Sequence, residues 1–204
     1  MRLPASSHPS PRPSAHRRHS ALALVAAVAL ASCSSNGQPA DSNEFQFTGT
    51  TATGKVLPSE QRAEAPAFRG ELLDGSAFNS AGLAGDIVVI NFWGSWCAPC
   101  RLETPELQAV YADVRDRGVQ FVGIDVKDQR QLASAFVSEV GAEYPSLFDP
   151  RGEIALTFNG FPANVVPSTI LLDASGDVAA VYTGAVQEDD LRKALDSLLQ
   201  ENGS

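Results

Sequence analysis

Cys97 and Cys100 are the residues best suited to chemistry, with two residues between them in the run Trp96-Cys97-Ala98-Pro99-Cys100. They follow a continuous apolar run at residues 87–92 and precede a stretch of helical spacing, so they fall where a buried strand turns into a helix. Backbone N–H groups at a helix start are unpaired and carry partial positive charge, which stabilises a thiolate and lowers its pKa. With only two intervening residues, a disulfide formed between Cys97 and another molecule lies within reach of Cys100, whose attack resolves it. The pair therefore has the spacing for a two-electron cycle. A zinc site would need four ligands, and neither a second cysteine pair nor a histidine beyond residue 32 exists to complete one. A purely structural bridge across so small a loop would add little stability. No metal or other cofactor is expected.

The elements that must position this pair follow from the pattern of apolar residues. The turn Asp74-Gly75 predicts a leading β-hairpin, and residues 87–92 and 119–126 read as buried strands. Residues 99–117 place Leu102, Leu107, Val110, Tyr111 and Val114 near helical spacing, and residues 130–140 do the same with Leu132, Phe136, Val137 and Val140. A shorter helix is expected over 151–158, an antiparallel strand pair over 169–172 and 178–182, and a last helix over 188–199. This order predicts an α/β domain of thioredoxin-like fold, a central mixed β-sheet flanked by helices, over residues 65–204.

The first 32 residues contain four arginines, all three histidines and no acid. Arg17-Arg18 precedes an apolar run at 21–31, too short for a spanning helix, that ends in Leu30-Ala31-Ser32-Cys33. This resembles a bacterial lipoprotein signal peptide (residues 1–32), exported by general secretion, with Cys33 lipidated and anchored to the outer face of the cell membrane. That assignment also accounts for the odd number of cysteines. Residues 33–64, rich in Ser, Thr, Gly, Asn and Pro, are expected to be a flexible tether. Without the first 32 residues, 11 basic residues face 24 acids, so a nucleic-acid partner is excluded.

The run Asn91-Phe92-Trp93-Gly94-Ser95-Trp96-Cys97-Ala98-Pro99-Cys100 resembles the active-site strand and turn of thioredoxins. From residue 65 to 199 the chain is similar to the TlpA/ResA/DsbE-like branch of extracytoplasmic thioredoxins. It shares the Ala65-Pro66-Ala67-Phe68 entry, the Leu72-Leu73-Asp74-Gly75 hairpin and an insertion before Val166-Pro167-Ser168-Thr169. The resemblance implies that Cys97 is the exposed nucleophile and Cys100 the resolving thiol. It implies that Pro167 is a cis-proline facing the sulfurs, and that Trp96, Pro99, Val166 and Pro167 meet the substrate. Trp93 is expected either beside the site or in the core, and Pro105 as a helix-kinking proline. Classical thioredoxin has a buried aspartate where this chain has Asn91, which cannot move a proton. Glu103, one helical turn beyond Cys100, matches the acidic residue of ResA-like proteins, and the resemblance implies that it is the proton carrier.

The implied activity is thiol-disulfide exchange with cysteine-containing exported proteins, in cytochrome c maturation on apocytochrome c or in oxidative folding of secreted proteins. Either direction requires a membrane thiol-disulfide electron donor or acceptor. A thiol peroxidase would carry a Pro-x-x-x-Thr/Ser-x-x pattern before its cysteine, which residues 90–96 lack. A non-catalytic haem or metal-binding lipoprotein is disfavoured because Arg101, not histidine, follows Cys100.

Overall fold

The computed structural model describes residues 43–203 apart from 163. The expected signal peptide and Cys33 lie outside the described residues.

A five-stranded sheet carries the fold, in the order β5-β4-β3-β6-β7. Its central strand β3 (Ile87–Trp93) is buried at every position, as a strand with covered faces must be. It pairs in parallel with β4 (Val119–Val126), which pairs in parallel with β5 (Ser146–Asp149). On its other side β3 pairs antiparallel with β6 (Ser168–Leu172), and β6 with β7 (Val178–Thr183). A small hairpin, β1 (Arg69–Glu71) with β2 (Ala77–Asn79), precedes the sheet. The strand β5 was not anticipated from the sequence; it is four residues long and bracketed by Pro145 and Pro150.

Strand alternation divides the apolar residues between two faces. One face, with Val88, Ile90, Phe92, Val122 and Ile124, packs against Phe68, Phe158 and α3 (Glu153–Thr157). The other, with Ile87, Val89 and Phe121, is covered by α1 (Ala98–Val114) and α4 (Glu188–Asn202) through Leu107, Val110, Leu191 and Leu195. A third cluster sits at the carboxyl ends of the parallel strands. It contains Trp93, Cys97, Cys100 and two residues of α2 (Arg130–Val140), Ala133 and Phe136. Two expected core residues are not in these clusters: Leu102 and Leu132 point to solvent. The faces of α1 and α2 are rotated from the expected stripes, and Glu103, Thr104 and Ala133 occupy the buried positions instead.

The expected tether requires correction over residues 43–64, which are bound along the domain. Phe45 is buried, its N–H bonds to Glu64 O (3.0 Å), and the Phe47 N–H bonds to Asn159 O (2.8 Å). Thr51 and Leu57 donate their N–H groups to Val181 O (2.8 Å) and Ala179 O (2.7 Å) of β7. The physical reason is that β7 is an edge strand whose outer polar groups need partners. Arg62 locks this strap. Its buried guanidinium lies 3.0 Å from Asp173 and 2.8 Å from Glu201, joining the strap to the β6–β7 turn and to α4.

Candidate functional site: a redox pair at the start of α1

Cys97 and Cys100 are joined in a disulfide. Cys97 is the N-cap of α1, and its Sγ accepts the Cys100 N–H at 3.2 Å. Pro99 stands in the first turn, where a missing N–H removes no intrahelical bond. Between β3 and α1 the chain closes a turn in which the Cys97 N–H donates to Gly94 O (3.0 Å). A side chain at Gly94 would collide with the Trp96 indole, 2.5 Å from where its Cβ would stand. The glycine thus lets the ring fold back over the turn and donate from Nε1 to Val126 O (3.1 Å).

The expected exposure of Cys97 is corrected by this packing. Cys97 is the more accessible of the two sulfur residues, but only 4% exposed, because it joins the cluster of Trp93, Ala133 and Phe136, against which Val166 also packs. Trp93 belongs to the core, its ring 5.4 Å from that of Phe136. Trp96, at 53% exposure, is the aromatic surface beside the pair, with Pro99 exposed and Val166 half-buried. The Val166–Pro167 peptide is cis, and Pro167 is buried at the entry to β6. Pro105 lies inside α1.

Glu103 is 3% exposed, on the inner face of α1 one turn beyond Cys100. Its Oε1 accepts the Val186 N–H (2.7 Å) and its Oε2 accepts from Asn91 Nδ2 (3.3 Å). Burial raises its pKa to about 7 against the opposing effect of these two hydrogen bonds, and Glu106 adds a smaller upward push. A carboxyl poised there can both take and return a proton at neutral pH. Asn91 also donates to Thr169 Oγ1 (3.1 Å), while its Oδ1 has no partner. Turning the amide over would present that oxygen to a protonated Glu103, so the same pair of groups can hold either protonation state. Burial, with a smaller push from the Glu103 charge, keeps neighbouring Tyr144 protonated.

Three contributors were not anticipated from the sequence. The Val186 N–H and Thr169 Oγ1 come from the 184–187 loop and β6, and carry no local signal. Asp125 does carry one, an acid within the largely apolar β4.

Residues 62–181 match the model of the AhpC/TSA family. The chain is 37% identical over 139 residues to the thiol:disulfide interchange protein HelX of Rhodobacter capsulatus, covering 67% of this chain and 75% of the relative. Thiol-disulfide oxidoreductase ResA of Geobacillus kaustophilus is 25% identical over 182 residues, covering 89% of this chain and 98% of the relative. Among solved structures, a DsbF homologue from Corynebacterium diphtheriae superposes with a TM-score of 0.70 and 39% identity, over 76% of this chain and 99% of the other. The family match spans the strap lock at Arg62, the cysteine pair and the Val166–Pro167 turn. The chain therefore belongs to the AhpC/TSA family, in its TlpA/ResA/DsbE-like branch of thioredoxin-fold thiol-disulfide oxidoreductases.

Proposed function

We propose that the protein exchanges disulfides with exported, cysteine-containing proteins through Cys97 and Cys100, with Glu103 carrying the proton of the resolving thiol. The observation that carries this reading is the disulfide seated at the N-terminus of α1 with a buried, near-neutral carboxyl one turn behind it. In the reducing direction, the Cys97 thiolate attacks a substrate disulfide, forming a mixed disulfide and releasing one substrate thiolate. Glu103 takes the proton from Cys100, and the Cys100 thiolate attacks Cys97 Sγ. The internal disulfide closes and the second substrate thiolate leaves, so the substrate gains the two electrons that the pair loses. The reverse sequence oxidises a substrate dithiol. The exposed Trp96 and Pro99, with Val166 and Pro167 opposite, supply the surface against which a substrate segment lies.

The substrate class implied by the resemblance to ResA-like proteins is apocytochrome c. A membrane dithiol or disulfide partner returns the pair to its starting state. Leu30-Ala31-Ser32-Cys33 supports export and lipid anchoring at Cys33. The testing experiment is catalysed reduction of insulin by the wild type, Cys97→Ser and Cys100→Ser proteins. Turnover by the wild type alone is the expected result, and turnover by Cys97→Ser would overturn the assignment.

A further inference from the structure

We propose that Asp125 is a positioning residue for the nucleophile: with Asp128 it shares one proton beneath the 94–97 turn and so fixes the backbone that carries Cys97. Asp125 stands near the carboxyl end of β4, in register with Trp93 of β3 on one side and Phe148 of β5 on the other. Its exposure is 0%, and as a carboxylate neither oxygen has a hydrogen-bond partner. An ionised acid in that position would be a buried charge without compensation, whereas a protonated one has a donor to offer. Asp128 is the acceptor within reach, and it is also what holds the active-site turn. Its Oδ2 accepts the Ser95 N–H at 2.6 Å and its Oδ1 the Gln129 N–H at 2.7 Å. Together with the Trp96–Val126 bond, residues 126–128 moor the turn at two points.

The other charged groups around Asp125 are already engaged. Asp149, at the end of β5, accepts the Glu153 and Ile154 N–H groups at the start of α3. Arg130 of α2 donates to Leu72 O and Leu73 O, pairs with Glu71 and lies over the Phe148 ring. Lys127 donates to Asn164. On α1, Glu103 faces Asn91 and the Val186 N–H, and the cysteines are tied in their disulfide. Burial, followed by the charge of Asp128 and a hydrogen bond to it, raises the Asp125 pKa to about 8. Burial alone would also raise that of Asp128, but hydrogen bonds from Ser95, Gln129 and Asp125 outweigh it and hold it below the ordinary range. Loss of the shared proton sets two carboxylates against each other, and Asp128 is relieved by moving off Asp125 and releasing Ser95.

This inference rests on Cys97 being the nucleophile, but its first test does not. Both tryptophans of the chain, Trp93 and Trp96, adjoin the pair, so their fluorescence in the oxidised protein, where neither cysteine titrates, reports the turn. Wild type and Glu103→Gln should show a transition near pH 8, and both Asp125→Asn and Asp128→Asn, which leave no pair of carboxylates to repel, should abolish it. Persistence of the transition in Asp125→Asn, or its absence from the wild type, overturns the proposal. In the reduced protein at pH 7, Asp125→Ala should change the rate of Cys97 alkylation by about threefold or more, a half-unit change in thiol pKa. Asp125→Asn, which keeps the donor, should restore it. A wild-type rate in the alanine variant, or no rescue by asparagine, counts against the proposal. A wild type whose Cys97 does not alkylate counts against the nucleophile assignment instead.

Discussion

Replacing Glu103 with glutamine should slow the chemistry while stabilising the fold above neutral pH, a combination that a merely structural carboxyl would not give. The ordinary glutamate pKa of 4.5 is displaced to about 7 in the native state, chiefly by burial. Below 4.5 the acid is protonated in both folded and unfolded chains and imposes no cost. As pH rises from 4.5 to 7 the unfolded chain sheds the proton first, and native stability falls. Above 7 the full cost is present, about 3 kcal/mol at 1.36 kcal/mol per tenfold difference in proton affinity. Glutamine has no such cost, can still accept the Val186 N–H, and can donate to Asn91 Oδ1 after the amide turns over. Urea unfolding of the oxidised proteins at pH 4, 6 and 8 should therefore show wild-type stability declining across the series relative to Glu103→Gln. On the chemical side, release of glutathione from a preformed mixed disulfide at Cys97 follows the resolving step. It should slow about 100-fold in Glu103→Gln, the scale of a lost general base, and should lose its ionisation near 7. Glutathione release within twofold of wild type, or a stability difference independent of pH, would refute the reasoning.

The Cys100→Ser protein should accumulate mixed disulfides with exported proteins at Cys97, identifiable by mass spectrometry, and Cys97→Ser should accumulate none. Arg62→Met should cost about 2–4 kcal/mol in urea unfolding, because Asp173 and Glu201 lose a buried partner, with the redox potential of the cysteine pair unchanged. Gly123→Ala should destabilise by about 1–3 kcal/mol in thermal unfolding: its Cβ would stand 2.7 Å from Trp93 Nε1 and overlap Ser146 Oγ. Cys33→Ser should shift the protein from the detergent-extracted membrane fraction to the soluble one.

Where apolar continuity or period dominated, the fold was legible before the structure: β3, β4, the β6–β7 pair and the positions of α1, α2 and α4 all follow from it. What escaped was decided by tertiary partners. Ser146-Leu147-Phe148-Asp149 is too short and too mixed to announce a strand, and becomes one because β4 offers it a parallel edge. The strap holds few apolar residues and reads as a linker, yet β7 supplies the hydrogen-bonding edge that binds it. At the site, the cysteine pair was legible from its spacing and context, and Glu103 was pointed to by its match to the acidic residue of ResA-like proteins. Its burial was not readable, because it depends on the rotation of α1 against Asn91 and the 186 backbone. Asp125 stood out as an acid inside a buried strand, but only the fold brings Asp128 and the 94–97 turn beside it.

The strap also sets a leash length. With Cys33 as the proposed attachment point, nine residues separate it from the first bound residue, Asn43, where the expected tether would have supplied about thirty. Covalent geometry caps the ten Cα-to-Cα steps from Cys33 to Asn43 at about 35 Å. Adding the width of the domain itself, the redox pair would then meet its partners within roughly two domain diameters of the bilayer surface. A membrane-embedded electron donor, or a substrate still emerging from the export machinery, lies inside that radius. A protein freely diffusing in the outer compartment enters it only by approaching the membrane.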